Sequence, residues 1–146
     1  MELNQKGLSR WLWIALSAAL SLGVASAPAR AAEPAKVVIQ VSDNDVAKWN
    51  LALNNAKNIQ KDLGKDNVNM AIVAFGPGIG MLKADAEVAN RVAEAAESGV
   101  KVLACQNTMR NQKLNKEDMH GSIGYVPSGV VELMQRQHQG FAYLRP

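Results

Sequence analysis

The chain has little of what several protein classes need. Its 146 residues include one cysteine, Cys105, which excludes an internal disulfide and the Cys-x-x-Cys pair of a dithiol oxidoreductase. Only 5% of the residues are aromatic and no run of basic residues occurs, which argues against a nucleic-acid surface or a polybasic membrane patch. The two histidines, His120 and His138, have neither metal-ligand spacing with Cys105 nor the signature of a Cys-His hydrolase. We therefore expect no metal, no cofactor and no nucleic-acid partner.

The longest apolar run stands near the N-terminus and is short for a membrane span. It covers 14 residues, Trp11 to Val24, follows Lys6 and Arg10, and leads to Ala29-Arg30-Ala31, which fits the small-x-small pattern of a cleavage site. We predict a secretory signal over residues 1–31, export of the mature chain to a periplasm, and no stable membrane anchor after cleavage. An uncleaved N-terminal anchor is the alternative.

The mature chain, residues 32–146, is long enough for one domain with its own core and too short for two. Removing residues 1–31 lowers the count of Lys and Arg from 16 to 13 and that of Asp and Glu from 13 to 12, so the formal charge falls from +3 to +1. The basic character of the whole chain therefore belongs largely to the signal.

Five short apolar or β-branched segments alternate with segments of helical periodicity in this domain. The predicted strands are residues 36–42, 68–75, 100–104, 123–126 and 141–144. The connections are short, and the second strand is apolar on both faces, as expected when helices cover both sides of a parallel sheet. We therefore predict an α/β fold, a three-layer α/β/α sandwich around a mainly parallel five-stranded sheet.

Apolar residues at three- and four-residue steps indicate the helices between these strands. The first is predicted to begin at a Ser42-x-x-Asp45 start and to end at Gly64. Three more are predicted at about residues 85–98, 106–112 and 129–139.

Cys105 lies where the third predicted strand gives way to a short helix. The stretch VKVLACQNTMR, residues 100–110, places the thiol beside unpaired N–H groups and the positive end of a helix dipole, which favour the thiolate and lower the pKa. Arg110, one turn further on, adds a positive charge. Because binding crevices form beyond the carboxyl ends of parallel strands, Cys105 is the candidate nucleophile. Alternatively, this cysteine only packs in the core or bridges two chains.

Two other segments follow predicted strands at the same edge of the sheet. The loop GPGIG, residues 76–80, does not match a dinucleotide fingerprint and is interpreted as a turn that needs positive φ. Alternatively, the backbone N–H groups of Gly76 and Gly78 bind an anion beside Cys105. Asp43-Asn44-Asp45, after the first strand, is interpreted as a helix cap rather than a catalytic group.

The stretches KVVIQVS, AFGPGIG, VLACQNTMR and YVPSGVVELMQRQHQGFAYLRP, in this order, resemble the DsrE/DsrF-like family over about residues 37–146. The resemblance implies a three-layer α/β/α fold and assembly into homo- or hetero-oligomers. It also implies that Cys105 matches the cysteine on which sulfur-relay members hold and pass on a persulfide. The candidate substrate- or anion-binding residues around it are Arg110, Asn107, Thr108, Gly76 and Gly78.

The resulting prediction is an exported homo-oligomeric protein that carries sulfane sulfur, or acts in thiol redox chemistry, through Cys105. A sulfur donor or acceptor protein is its expected partner. The alternative is a non-catalytic module for small-ligand binding or oligomeric assembly, in which Cys105 is only packed.

Overall fold

The alternation of strands and helices expected from the sequence is present in the computed structural model, which describes residues 33–146; the predictions for residues 1–31 lie outside the described residues. The strands are β1 (Ala35–Val41), β2 (Val68–Ala74), β3 (Lys101–Cys105), β4 (Gly124–Val126) and β5 (Ala142–Leu144). The α-helices are α1 (Val46–Leu63), α2 (Ala89–Glu97), α3 (Gln106–Asn111) and α4 (Gly129–His138). Short 3₁₀ helices cover Lys65–Asn67, Gly76–Leu82 and Lys116–Asp118. Over these described residues no helix combines the length and the apolarity that crossing a membrane requires.

The strands form one sheet in the order β4-β3-β2-β1-β5, and each of its pairings is parallel. The chain moves from β1 to β4 in one direction and then returns to place β5 on the free edge of β1. Right-handed crossovers therefore put α1, α2 and α3 on one face of the sheet and α4 on the other. The predicted three-layer α/β/α sandwich is confirmed.

Side chains of the strands alternate between two apolar cores. The larger core lies under α1 and α2, and its members from β1 and β2 include Val37, Ile39, Met70 and Ile72. The smaller core lies under α4 and contains Val38, Ala71, Val73, Leu133 and Phe141. Because both faces are covered, β2 is buried at six of its seven positions, which explains its nearly continuous apolar sequence.

The helix α1 begins directly after Asp45. The carboxylate of Asp45 accepts hydrogen bonds from the backbone N–H groups of Ala47 at 2.8 Å and Lys48 at 3.3 Å, which is the capping role predicted for this segment. Ser42 takes no part in the cap, because its hydroxyl instead accepts a hydrogen bond from the side-chain amide of Gln40 at 3.0 Å. Of the two residues in the expected Ser42-x-x-Asp45 helix start, Asp45 alone caps α1.

Two elements differ from the prediction. The helix α2 begins at Ala89 instead of near residue 85, because successive tight turns occupy the preceding residues: the N–H of Ala86 bonds to the carbonyl oxygen of Lys83 at 3.2 Å, and that of Ala89 bonds to the carbonyl oxygen of Ala86 at 2.9 Å. The glycine loop, expected to form one turn, opens a 3₁₀ helix over Gly76–Leu82.

Candidate functional site

Cys105 is the last residue of β3 and directly precedes α3. Its register partner in the neighbouring strand β4 is Val126. From Cys105 the chain turns to a helix on one face of the sheet, whereas from the end of β4 it turns to α4 on the other face. The carboxyl ends of β3 and β4 are therefore the topological switch point, the place where open α/β sheets form their binding crevices.

The side chain of Cys105 is recessed, with 4% of the residue exposed, but polar groups reach its sulfur. Burial by itself raises the pKa of the thiol. The hydroxyl of Thr108, followed by the backbone N–H groups of Gly129, Thr108 and Asn107, hydrogen-bonds the sulfur and holds its pKa below the ordinary value of a cysteine. The effect of the hydrogen bonds exceeds that of burial, so the pKa of the thiol is lowered.

Thr108 connects this sulfur to the glycine loop. The residue is 9% exposed, and its hydroxyl oxygen accepts a hydrogen bond from the N–H of Gly76 at 2.9 Å. A hydroxyl that accepts from one group keeps its own proton for another, and the Thr108 hydroxyl is the group that most lowers the pKa of Cys105. The side-chain amide of Gln112 also donates to the carbonyl oxygen of Gly76 at 3.1 Å, so α3 and the residue that follows it hold Gly76 from both sides.

The glycine loop supports the site without offering these N–H groups to an anion. The N–H of Gly76 is donated to Thr108, and that of Gly78 is donated to the carbonyl oxygen of Phe75 at 3.1 Å. Gly76 has a φ of 53°, in the left-handed region that glycine adopts readily. A Cβ atom on Gly78 would lie 2.4 Å from the carbonyl oxygen of Val41. These contacts favour a packed turn and correct the alternative of a backbone anion cradle.

Arg110 does not lower the pKa of Cys105 in this arrangement. Its side chain is exposed, and its guanidinium donates to the side-chain oxygen of Asn107, which is exposed as well. Asn107 approaches the sulfur through its backbone N–H, which also donates to the carbonyl oxygen of Pro127 at 3.2 Å. The structure thus brings Thr108 and the backbone of Asn107 to the thiol, while the Arg110 guanidinium contacts the Asn107 side chain.

Sequence reasoning missed Gly129, the first residue of α4. It comes near Cys105 because β4 pairs with β3 in parallel and α4 begins just after β4 ends. The sequence feature that could have indicated this contact is the Pro127-Ser128-Gly129 helix start, because it follows β4, the strand adjacent to β3. A side chain is also disfavoured at this position, because a Cβ atom would lie 3.0 Å from the ring of Phe75.

The polar residues after β1 form a separate cluster. The carboxylate of Asp43 pairs with Lys48 at 2.9 Å and with Arg145 at 3.6 Å, and the hydrogen bond from Lys48 is the main cause of the lowered pKa of this carboxyl. The indole N–H of Trp49 donates to the carbonyl oxygen of Asp43 at 2.8 Å. The segment therefore anchors the start of α1 and the C-terminal residues.

The histidines have other positions and contacts. The Nδ1 atom of His120 accepts the N–H of Ser122 at 3.2 Å. His138 ends the ten-residue helix α4, so it lies about 14 Å along the helix from Gly129, the residue near Cys105. Within residues 33–146 no three His, Cys, Asp or Glu side chains are grouped closely enough to hold a metal ion.

The fold and the site define a class of α/β domain in which a parallel sheet carries one cysteine at its switch point. Comparison of the sequence with protein families gives the particular family. Residues 35–146 match the model of the DsrE/DsrF-like family, and the chain belongs to this family, which confirms the resemblance. No match was found among curated protein sequences.

Solved structures show the same fold. MTH1491 from Methanobacterium thermoautotrophicum, a protein of unknown function, is 32% identical with a TM-score of 0.73, over 77% of this chain and 99% of that one. BT1422 from Bacteroides thetaiotaomicron, also of unknown function, is 19% identical with a TM-score of 0.62, over 76% of this chain and 94% of that one. The YchN protein from E. coli is 11% identical with a TM-score of 0.63, over 79% of this chain and 100% of that one. The last two similarities support the fold alone.

Proposed function

We propose that Cys105 carries sulfane sulfur as a persulfide, in keeping with the sulfur-relay type of fold to which the family points. The observation that carries the proposal is the convergence of the Thr108 hydroxyl and three backbone N–H groups on a thiol whose pKa is lowered although it is buried. The thiolate is the attacking species in sulfur exchange. The outer sulfur of a persulfide is again an anion, which the same kind of donors stabilises.

Loading of Cys105 from a polysulfide needs no external oxidant. The thiolate attacks a terminal sulfur, a Cys–S–S⁻ group forms, and the bond between that sulfur and the next one breaks. The shortened polysulfide leaves with the electron pair of the broken bond as a dianion, so charge is conserved. An acceptor thiolate then attacks the outer sulfur, takes it over as its own persulfide, and releases the Cys105 thiolate.

Intact-mass measurement tests this carrier function. The protein is incubated with polysulfide, and a gain of about 32 Da, one sulfur atom, is expected in the wild type. The increment should be absent in Cys105→Ser and should disappear when a thiol acceptor is added to loaded wild type. An equal increment in both proteins, or none in the wild type over a range of polysulfide concentrations, contradicts the proposal.

A second candidate function, an assembly module in which Cys105 only packs, is favoured by the surface of α4. Val130, Val131 and Met134 are 53%, 48% and 53% exposed on this helix. The charged residues Glu132 and Arg136 bond each other at 2.7 Å, which leaves this apolar surface free of an unpaired charge. Absence of sulfur loading together with a stable oligomer favours this function over the carrier.

The proposal includes a homo-oligomer in which a second copy covers Val130, Val131 and Met134, as well as a sulfur donor or acceptor protein. A double substitution, Val131→Glu with Met134→Glu, is expected to lower the mass measured by sedimentation equilibrium. Asn58→Glu places a charge on the exposed side of α1 and serves as the control. An oligomer of unchanged mass in the double variant contradicts assembly through α4.

The proposal also includes export by the N-terminal signal. In cells that synthesise the full chain, the protein should be recovered from the periplasmic fraction with Ala32 as its first residue. N-terminal sequencing measures this directly. Recovery of a full-length chain from the cytosolic fraction contradicts export.

A further inference from the structure

The helices α1 and α2 border a cavity of about 130 Å³ that is separate from the cysteine site. Leu53 and Ala56 of α1, Ala95 of α2 and Val100 supply its apolar lining. Val100 precedes β3, whereas Cys105 ends that strand, so the cavity and the thiol lie at opposite ends of β3. Two alanines line the cavity, and their short side chains leave space that longer side chains would fill.

The charged side chains around this cavity are not balanced by one another. Arg91 donates to the side-chain oxygens of Asn50 and Asn54, the latter at 2.6 Å. Both acceptors are neutral, so they hold the guanidinium in place without cancelling its charge. Lys57 and Glu94 also line the cavity and are exposed, and within residues 33–146 neither takes part in an ion pair. The lining therefore carries two positive charges and one negative charge beside an apolar floor.

The two helices are tied together on either side of this cavity. Beyond the Arg91 contacts, the side-chain amide of Gln60 donates to the carbonyl oxygen of Ser98 at 2.9 Å, and the Ser98 hydroxyl lies 3.0 Å from the side-chain oxygen of Gln60. Asn54 and Gln60 are six residues apart on α1, which separates the two ties by about 9 Å. The pocket is thus formed in advance, which reduces the ordering that a ligand has to impose.

We propose that this cavity binds a small α-amino acid with an apolar side chain, of the size of leucine. The side chain occupies the floor formed by Leu53, Ala56 and Ala95. The carboxylate lies toward Arg91 and Lys57, and the ammonium group lies toward Glu94. The volume is appropriate, since an apolar cavity of about 150 Å³ holds a benzene molecule.

A zwitterion satisfies both signs of charge at this cavity. A carboxylate without an ammonium group faces Glu94 unpaired, and an amine without a carboxylate faces Arg91 and Lys57. The proposal is independent of sulfur transfer, because none of the lining residues contacts the cysteine site.

Titration of the ¹⁵N-labelled protein with three probes tests the proposal. L-leucine should produce saturable chemical-shift changes in α1 and α2, while 4-methylpentanoate and 3-methylbutylamine, which each lack one charged group, should bind roughly fivefold more weakly. Ala95→Leu, which fills the cavity, should abolish leucine binding. Ala47→Leu, at an exposed position of α1 that does not line the cavity, should leave the binding unchanged.

The variant Glu94→Gln provides a second measurement that does not depend on filling the core. It should remove the preference for leucine over 4-methylpentanoate. The absence of saturable shifts at millimolar leucine, equal binding of leucine and 4-methylpentanoate by the wild type, or unaltered leucine binding by Ala95→Leu would each overturn the proposal. Cys105→Ser should bind leucine normally, so failure of the carrier function and failure of this site are distinguishable.

Discussion

The hydroxyl oxygen of Thr108 lies 2.9 Å from the backbone nitrogen of Gly76 and accepts its N–H, and the same hydroxyl is the group that most lowers the pKa of Cys105. One side chain of α3 therefore joins the loop after β2 to the thiol at the end of β3. The groups that lower the pKa of the thiol are this hydroxyl and the backbone N–H groups of Gly129, Thr108 and Asn107.

Thr108→Val removes the hydroxyl and keeps a branched side chain. The pKa of Cys105 is expected to rise, because the strongest of the groups that lower it is lost. One hydrogen bond to a charged group contributes about 1.5–3 kcal/mol, so alkylation by iodoacetamide near neutral pH should slow roughly tenfold. The midpoint of the alkylation rate against pH measures the change. Thr108→Ser retains the hydroxyl and is the control; a wild-type midpoint in Thr108→Val would show that the hydroxyl does not act on the thiol.

Arg110→Gln separates the effect of a nearby charge from the effect of direct hydrogen bonds. The alkylation midpoint of this variant should equal that of the wild type, because the Arg110 side chain is exposed and bonds to Asn107. Loading by a polysulfide dianion should slow and lose part of its dependence on salt if Arg110 attracts the donor. A midpoint displaced to higher pH would show that the charge of Arg110 does stabilise the thiolate.

The lowered pKa of Cys105 makes the free energy of unfolding depend on pH. Between the folded pKa and the higher, ordinary pKa of the unfolded thiol, the unfolded state binds more protons, so stability rises with pH. The contribution is complete above the ordinary pKa and is lost as pH falls through the folded pKa. Urea unfolding of the wild type and Cys105→Ser across this window should give a difference that grows with pH; a constant difference is the contrary result.

Gly78→Ala tests the packing of the glycine loop. A Cβ atom would meet the carbonyl oxygen of Val41 at 2.4 Å, so backbone has to move, and the free energy of unfolding should fall by about 2 kcal/mol or more. Gly121→Ala is the matched control, since nothing lies within 4 Å of its added Cβ, and it should change stability by less than about 0.5 kcal/mol. Equal stability of the two variants, measured by urea unfolding, would contradict the close approach of Gly78.

Much of the sheet could be predicted because its signal is local. The strands are short apolar runs bounded by glycine and polar residues, and α1 is marked by its apolar spacing, Asp45 and Gly64. The start of α2 could not be placed this way, because the turns at Ala86 and Ala89 keep the same apolar spacing while their hydrogen bonds reach back only three residues.

The candidate site was predictable only in part for a related reason. The junction of strand and helix at Cys105 is visible in consecutive residues. The donor at Gly129 depends on the pairing of β3 with β4, and the Thr108 hydroxyl is held by the N–H of Gly76, which lies 32 residues earlier in the chain. The contact of Arg110 with Asn107 could not be predicted either, because closeness in sequence does not determine where a long side chain points.

The position of β1 between β2 and β5 bears on the order in which the protein can be completed. Val38 pairs with Tyr143, and the Tyr143 hydroxyl donates to the side chain of Gln40 at 2.7 Å. A ribosome synthesises β1 before β5, so the outer edge of β1 lacks its neighbour until Ala142–Leu144 have emerged. The sheet is therefore completed only after β2, β3 and β4 have been made, and shorter nascent chains expose an unpaired edge of β1.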